Sequence, residues 1–393
     1  MVVVLFCIIF QSYFSKALGA SSVVFPVNKN DHTGRAYFTN INIGSLDKSF
    51  ELHIDSGSDI TWVECDENNM PGGNLYKPPA DSMVKCDDPL CVALHGNDHE
   101  CLDPSDRCHY EFDHYGDGKS TEGYLVRDIF PLQLINGSVI HPHLVFGCGY
   151  KQTGDFNGNG LLGLGRGGVS LLSQMHSQDL INKVTGHCLS SGEGGGFLFL
   201  GNDLVPPSGV SWTSINNEDN DLENYLTGPV DLLLDEREIQ VRKMEFDFDS
   251  GLDSSYLNQP TYEYILHLIQ QFLEGSPLIP TNRTRDFSMC WRHSQQPIRS
   301  LDDITHLFKK LTLKFKDSPN INILEIPSKN YLILVGDKVC LGISNGDQDS
   351  NLDNVNVIGV NFMQDKLVIY DSVESRMGWT PSRSCHMSPR TRT

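Results

Sequence analysis

The sequence predicts a mostly β chain built from two halves of like pattern, and three observations carry that expectation. Short runs with strand character recur along its length, among them AYFTNINIG, SFELHID, HLVFGCG, GGFLFLG, KLTLKF, NYLILV and KLVIYD. Gly, Asn, Asp and Pro separate them, as expected of strands joined by turns. The tripeptide Asp-Ser-Gly stands twice behind such a run, at Asp55–Gly57 and Asp249–Gly251. Finally, 393 residues are too many for one small core and suit two lobes of ~150–200 residues each.

The first twenty residues stand apart. Val2 to Phe10 is apolar, and small residues follow at Ala17, Gly19 and Ala20. The run is too short to span a bilayer, and it reads as a secretory signal peptide cut near Ala20. The first half, 21–210, then opens with strands and reaches Asp55 behind ELHI. It continues through a cysteine-rich stretch and a helical pattern at Leu171–Asn182, where apolar residues recur at three- and four-residue spacing. The second half, 211–386, reaches Asp249 behind EFDF and carries a helical pattern at Pro260–Leu273, with Pro260 as a start signal. Residues 387–393 read as a basic tail.

The halves match in detail. Apolar residues sit one and three places before each Asp, at Ile54 and Leu52 and at Phe248 and Phe246. That alternation points them to one face of a strand. Two apolar residues and a Gly follow at near-equal distance: Leu161-Leu162-Gly163 lies 108 residues after Asp55, measured to the Gly, and Val357-Ile358-Gly359 lies 110 after Asp249. One Asp-Ser-Gly is an ordinary turn; two in this setting read as a duplication.

The formal net charge of −20 and pI near 5.0 argue against nucleic acid or an anionic membrane as main partner. Of eleven cysteines, Cys7 falls in the signal segment and ten remain. An even count in a secreted chain implies disulfides, and no C-x-x-C supports zinc. No metal or organic cofactor is expected. The sequons at Asn136 and Asn282 fit glycosylation.

These residues resemble the pepsin-like aspartic proteases, and within them the plant nucellin-like branch. The resemblance covers nearly the whole chain after the signal: IDSGSDITWVECD, YGDGKSTEGYL, VFGCGYKQTG, GLLGLGRGGVSLLSQ, GHCLSSGEGGGFLFLGND, FDSG, IPSKNYLI, CLGISNG, NVIGVNFMQDKLVIYD and MGW. It implies a bilobal pepsin-like acid protease fold, two β lobes about a pseudo-two-fold axis with a central cleft. It implies an endopeptidase acting on polypeptides at acidic pH, a monomer, placed in the secretory pathway and delivered to the apoplast or vacuole. Asp55 and Asp249 would be the catalytic pair, because two carboxylates held close share a proton, so one can act as base while the other is acid. Ser56 and Ser250 would pin the two loops to each other across the lobes. Gly57 and Gly251 would leave room for close backbone approach, and Ser58 would donate to the outer oxygen of Asp55. Trp62 would support the flap, and Tyr115 would be the flap tyrosine over substrate. The resemblance pairs Cys86 with Cys108, Cys91 with Cys101, Cys188 with Cys385 and Cys290 with Cys340, which leaves Cys65 for Cys148.

The chain also departs from the pattern. Leu252 stands where the family has Ser or Thr, so the hydroxyl expected on the outer oxygen of Asp249 is missing. A lost hydrogen bond to a charged group costs about 1.5–3 kcal/mol, roughly tenfold to more than a hundredfold in rate if felt in the transition state. Asp253 beside it is either a further charge or solvent-facing. Val360 replaces an Asp usual after Gly359, DLLLDEREIQVRKM lacks a Gly pair, and two cysteines common after Cys65 are absent from CDENNMPGGNLY. Fewer than twenty residues separate the signal from YFTNINIG, so activation by release of a long pro-segment is not expected. Two other readings compete. One is a non-catalytic member of the fold that binds a peptide or secreted protein in its cleft, as plant xylanase-inhibitor proteins do. The other is a two-carboxylate glycosidase, against which the paired loops and flap motif argue.

Overall fold

The computed structural model describes residues 22–29, 36–44, 48–66, 74–96, 100–113, 119–154, 156, 158–192, 194–216, 224–239, 244–281, 287–317, 320–346, 356–382 and 384–385. The expected signal segment, Tyr115, Asn282 and the tail lie outside them.

Alternation builds the central strand of the first half. In Lys48–Asp55, Phe50, Leu52 and Ile54 are fully buried while Glu51 is exposed, so one face enters the core and the strand ends with Asp55 at its rim. Gly160–Gly163 lies parallel to it, Leu162 opposite Ile54 and Gly163 opposite Asp55. In the second half Met244–Phe248 buries Phe246 and Phe248 the same way, and Val357–Ile358 lies parallel with Ile358 opposite Phe248. The apolar-apolar-Gly repeat seen in the sequence is therefore a repeated strand pairing, and each Gly ends it where the chain crosses the loop behind the Asp. A Cβ on Gly163 would lie 2.5 Å from the Asp59 carbonyl oxygen, and one on Gly359 would lie 2.2 Å from that of Ser254.

A thirteen-stranded sheet runs from His109–Asp113 at one edge to Ser211–Ser214 at the other. At Val184–Leu189 it takes in Lys366–Asp371 as an antiparallel neighbour, so strands from the end of the chain complete the sheet of the first half. An eight-stranded sheet holds most second-half strands. Two large apolar clusters follow the halves: one drawn from residues 215–379 and one from 23–200, joined by Val360. The architecture is mostly β and bilobal, as the sequence predicts.

Helices are few. The longer covers Gln259–Phe272, with the Asn258 side chain accepting from the Thr261 N–H and Pro in its first turn, close to the expected Pro260–Leu273. The other predicted helix stops at Ser177 instead of Asn182, because Asp179 takes a left-handed φ of 56°. A short helix at Pro89–His95, capped by Asp88, was not legible from periodicity. Among the described residues no helix is long and apolar enough to cross a membrane.

Candidate active site

The two Asp-Ser-Gly loops meet at the junction of the halves. A Cβ added to Gly57 would lie 2.7 Å from the carboxyl carbon of Asp249, and one added to Gly251 would lie 2.6 Å from that of Asp55. Each carboxyl thus occupies the space that the other loop's glycine leaves open. Each Asp is tied to the neighbouring strand segment through its main chain, by a different group: the Leu164 N–H donates to the Asp55 carbonyl at 2.7 Å, and the Asp249 N–H donates to the Ile358 carbonyl at 3.0 Å.

Below the carboxyls the serines are bonded reciprocally. The Ser56 N–H donates to Ser250 Oγ at 3.0 Å and the Ser250 N–H to Ser56 Oγ at 2.9 Å. Ser56 Oγ donates to the Phe248 carbonyl at 2.8 Å, and Ser250 Oγ to that of Ile54 at 3.2 Å. Both serines are fully buried. Four bonds between distant segments in a dry setting hold the loops in register.

The carboxyls themselves are supported unequally. Asp55 Oδ1 accepts from the Gly57 N–H at 2.8 Å and Oδ2 from Ser58 Oγ at 2.6 Å. Asp249 Oδ1 accepts from the Gly251 N–H at 2.7 Å. Its neighbour Leu252 is half-buried, has no hydroxyl, and contributes its carbonyl to the Val360 N–H at 2.8 Å. Burial, then the charges of Asp55 and Asp247 and a hydrogen bond with Asp55, hold Asp249 well above the ordinary carboxylate range. Asp253 is half-buried, and its charge reaches Tyr37. Val360 is buried in the first half's apolar cluster, a setting that suits Val and not a charge.

Sequence reasoning missed three neighbours. Asp247, two residues before Asp249, is buried, and burial above all pushes it up to about 7. An acid within the EFDF strand, on the same side as Asp249, was the available signal. Tyr370 Oη lies 3.4 Å from Ser56 Oγ, and His187 Nε2 lies 3.2 Å from Tyr370 Oη. His187 is fully buried, which lowers it to about 4. Nothing local marks His187 or Tyr370, because strand pairing across the halves brings them under the site.

Trp62 is buried, its ring edge-on to Phe156 with centroids 5.0 Å apart. Tyr115 lies outside the described residues, between strands His109–Asp113 and Ser120–Ile129. Asn136 is exposed in the turn joining Leu132–Gln133 to Val139–Ile140. Disulfides join Cys65 to Cys148, Cys188 to Cys385 and Cys290 to Cys340. The expected pairs Cys86–Cys108 and Cys91–Cys101 are corrected: the structure joins Cys86 to Cys101 and Cys91 to Cys108. Cys91 is on the inward face of helix Pro89–His95, in one apolar cluster with Cys108. The Cys86 N–H instead bonds the Asp106 carbonyl at 2.8 Å, which draws Cys86 to the outer loop that carries Cys101. Cys91, His95 and Cys108 are close enough to suggest a metal, but both sulfurs are joined in that disulfide.

Comparison with known proteins agrees with this geometry. Residues 37–202 match the family profile described as Xylanase inhibitor N-terminal, and 232–381 match Xylanase inhibitor C-terminal. The chain is 36% identical to an aspartic proteinase of Oryza sativa subsp. indica, over 95% of this chain and 93% of that protein. Its fold resembles basic 7S globulin from soybean, with a TM-score of 0.71 and 18% identity over 92% of this chain and 95% of that one. It also resembles aspartic proteinase from Irpex lacteus, with a TM-score of 0.65 and 12% identity over 93% and 99%. With paired Asp-Ser-Gly loops, two matched halves and a relative of this identity along nearly its full length, the chain belongs to the plant pepsin-like aspartic protease family.

Proposed function

We propose that the protein is an aspartic endopeptidase that hydrolyses peptide bonds in polypeptides at acidic pH. The observation that carries this reading is the mutual approach of Asp55 and Asp249, each against the other's glycine. The lobe of residues 21–210 supplies Asp55 and the lobe of 211–386 supplies Asp249. The unequal support assigns roles. Asp55, with a hydroxyl and an amide donor, is the charged member; Asp249, held above the usual range, keeps the proton. A water between them gives its proton to Asp55 as its oxygen bonds the peptide carbon, and Asp249 passes its proton to the carbonyl oxygen. Collapse breaks the C–N bond: the amine takes the proton from Asp55, and a diol hydroxyl returns one to Asp249. Acid and amine leave, and both aspartates are restored. Trp62 supports the flap and Tyr115 closes it over the substrate. Leu252 weakens the site without abolishing it. The protein enters the secretory pathway, is glycosylated at Asn136 and Asn282, and acts as a monomer in the apoplast or vacuole. The motifs favour the nucellin-like branch.

Incubation with a denatured protein from pH 3 to 6, with and without pepstatin, tests this. Cleavage blocked by pepstatin and lost in Asp55→Asn is expected. No cleavage at any pH, with tight peptide or protein binding, would establish a second reading, a non-catalytic binder. Leu252 and the inhibitor descriptions of the matching profiles favour that reading.

A further inference from the structure

Strand Met244–Phe248 sends Met244, Phe246 and Phe248 into the core, so Asp247 projects to the opposite side, which Asp249 continues. Although it faces the junction, Asp247 is only 7% exposed. Its Oδ2 accepts from Asn224 Nδ2 at 3.0 Å and its Oδ1 from the Tyr225 N–H at 3.1 Å, and the Phe248 N–H also donates to the carboxyl. Among the described residues, the carboxyl's hydrogen bonds come from one side-chain amide and main-chain N–H groups, not from a cation. The groups facing it are acids and phenols: Asp55 from the first loop, Asp249 from its own, Tyr225 beside it and Tyr370 from strand Lys366–Asp371. On its own strand Glu245 is exposed and bonded to Asn216.

We propose that Asp247 is a positioning residue for the pair, a third carboxyl whose charge determines how far toward neutral pH Asp249 keeps its proton. The proposal rests on the peptidase reading. Three carboxyls share a poorly solvated region, where like charges repel strongly. In acid, Asp247 is uncharged and leaves the pair undisturbed. As pH rises toward neutral it ionises, and its negative charge opposes loss of the proton that Asp249 holds. The half with no hydroxyl at Leu252 thus has a second means of keeping Asp249 protonated, and the alkaline limb of activity lies higher than two carboxyls alone would place it.

The test is Asp247→Asn, near in shape and without charge, with Asp247→Ser as a second variant. In both, the alkaline half-point of kcat/KM against pH moves acidward by about one unit. A half-point that stays at the wild-type value in both overturns the proposal. If the wild type cleaves nothing, the peptidase reading has failed by itself, and unfolding decides Asp247. Midpoints of thermal unfolding are then followed from pH 4 to 8 for wild type, Asp247→Asn, Asp249→Asn and the double variant. The loss of stability on the way to pH 8 shrinks in each single variant, and in the double variant by less than the sum of the two. Strict additivity would mean that the two carboxyls do not sense each other, which overturns the proposal.

Discussion

The loop at Asp55 and the loop at Asp249 have the same frame but different chemistry. Each follows a strand paired in parallel with an apolar-apolar-Gly segment, and each serine bonds the other's N–H. The difference begins one residue past the glycine. Ser58 gives Asp55 a hydroxyl at 2.6 Å, whereas Leu252 has no hydroxyl to give Asp249. It extends outward: beneath Ser56 lie Tyr370 and His187, and beside Asp249 lies Asp247. The features that hold the loops in register are matched, and those that set proton affinity are not. Symmetry here serves folding, and under the proposed peptidase reading the asymmetry would divide the acid pair into a base and a proton donor.

The largest effect should come from the acids. Asp55→Asn and Asp249→Asn each remove one of the two proton positions, and peptide hydrolysis is expected to fall by about a thousandfold or more. A variant that kept cleaving would place the chemistry elsewhere. The next effect is on stability. Folding lowers His187 from 6.5 to about 4, so between those values the unfolded chain binds more protons than the folded one. Stability from this group is therefore present above pH 6.5 and lost as pH falls toward 4, on the order of 3 kcal/mol in all. Asp247 slopes the other way: raised from 3.8 to about 7, it favours the fold in acid, and that contribution is lost as pH climbs from 4 to 7. In urea unfolding, His187→Gln should shrink the drop between pH 6.5 and 4 by about 3 kcal/mol. An unchanged drop would show that His187 does not titrate with folding.

Leu252→Ser addresses the difference between the loops directly. A hydroxyl on Asp249 should raise kcat/KM by about tenfold to a hundredfold and, by favouring the ionised form, move the alkaline limb toward acid. Ser58→Ala should lower activity by a similar factor. If Leu252→Ser gained nothing while Ser58→Ala lost activity, the second loop would have ceased to need the hydroxyl.

Much of this was legible in the sequence because it is local. Alternation before each Asp, the near-equal spacing to Gly163 and Gly359, and the glycines after each serine are properties of short segments, and the structure reproduces them as paired strands and a close approach. The helix at Gln259–Phe272 was readable from period and Pro260 for the same reason. What escaped depends on the third dimension. The pairing of Val184–Leu189 with Lys366–Asp371 puts His187 beside Tyr370 from 183 residues away. Cys86 and Cys91 are separated by a turn and the start of a helix, and the direction of that helix decides which of them meets Cys108. Asp247 is the polar position of an alternating strand, and only the meeting of the two halves buries it.

The smallest contrast concerns the serines. Ser56→Ala and Ser250→Ala each leave a buried N–H of the opposite loop without its acceptor, which costs about 1–3 kcal/mol. Because the bonds are reciprocal, the two losses should agree to within about 0.5 kcal/mol, the limit to which such differences are resolved. The double variant should cost less than their sum, since removing one hydroxyl already loosens the loop that the other holds. Ser56 alone touches Tyr370, at 3.4 Å, too long for a strong bond. A clearly larger loss in Ser56→Ala, measured by chemical unfolding at pH 5, would show that the His187–Tyr370 pair supports the loop through that contact and that the asymmetry of the two loops reaches into the frame itself.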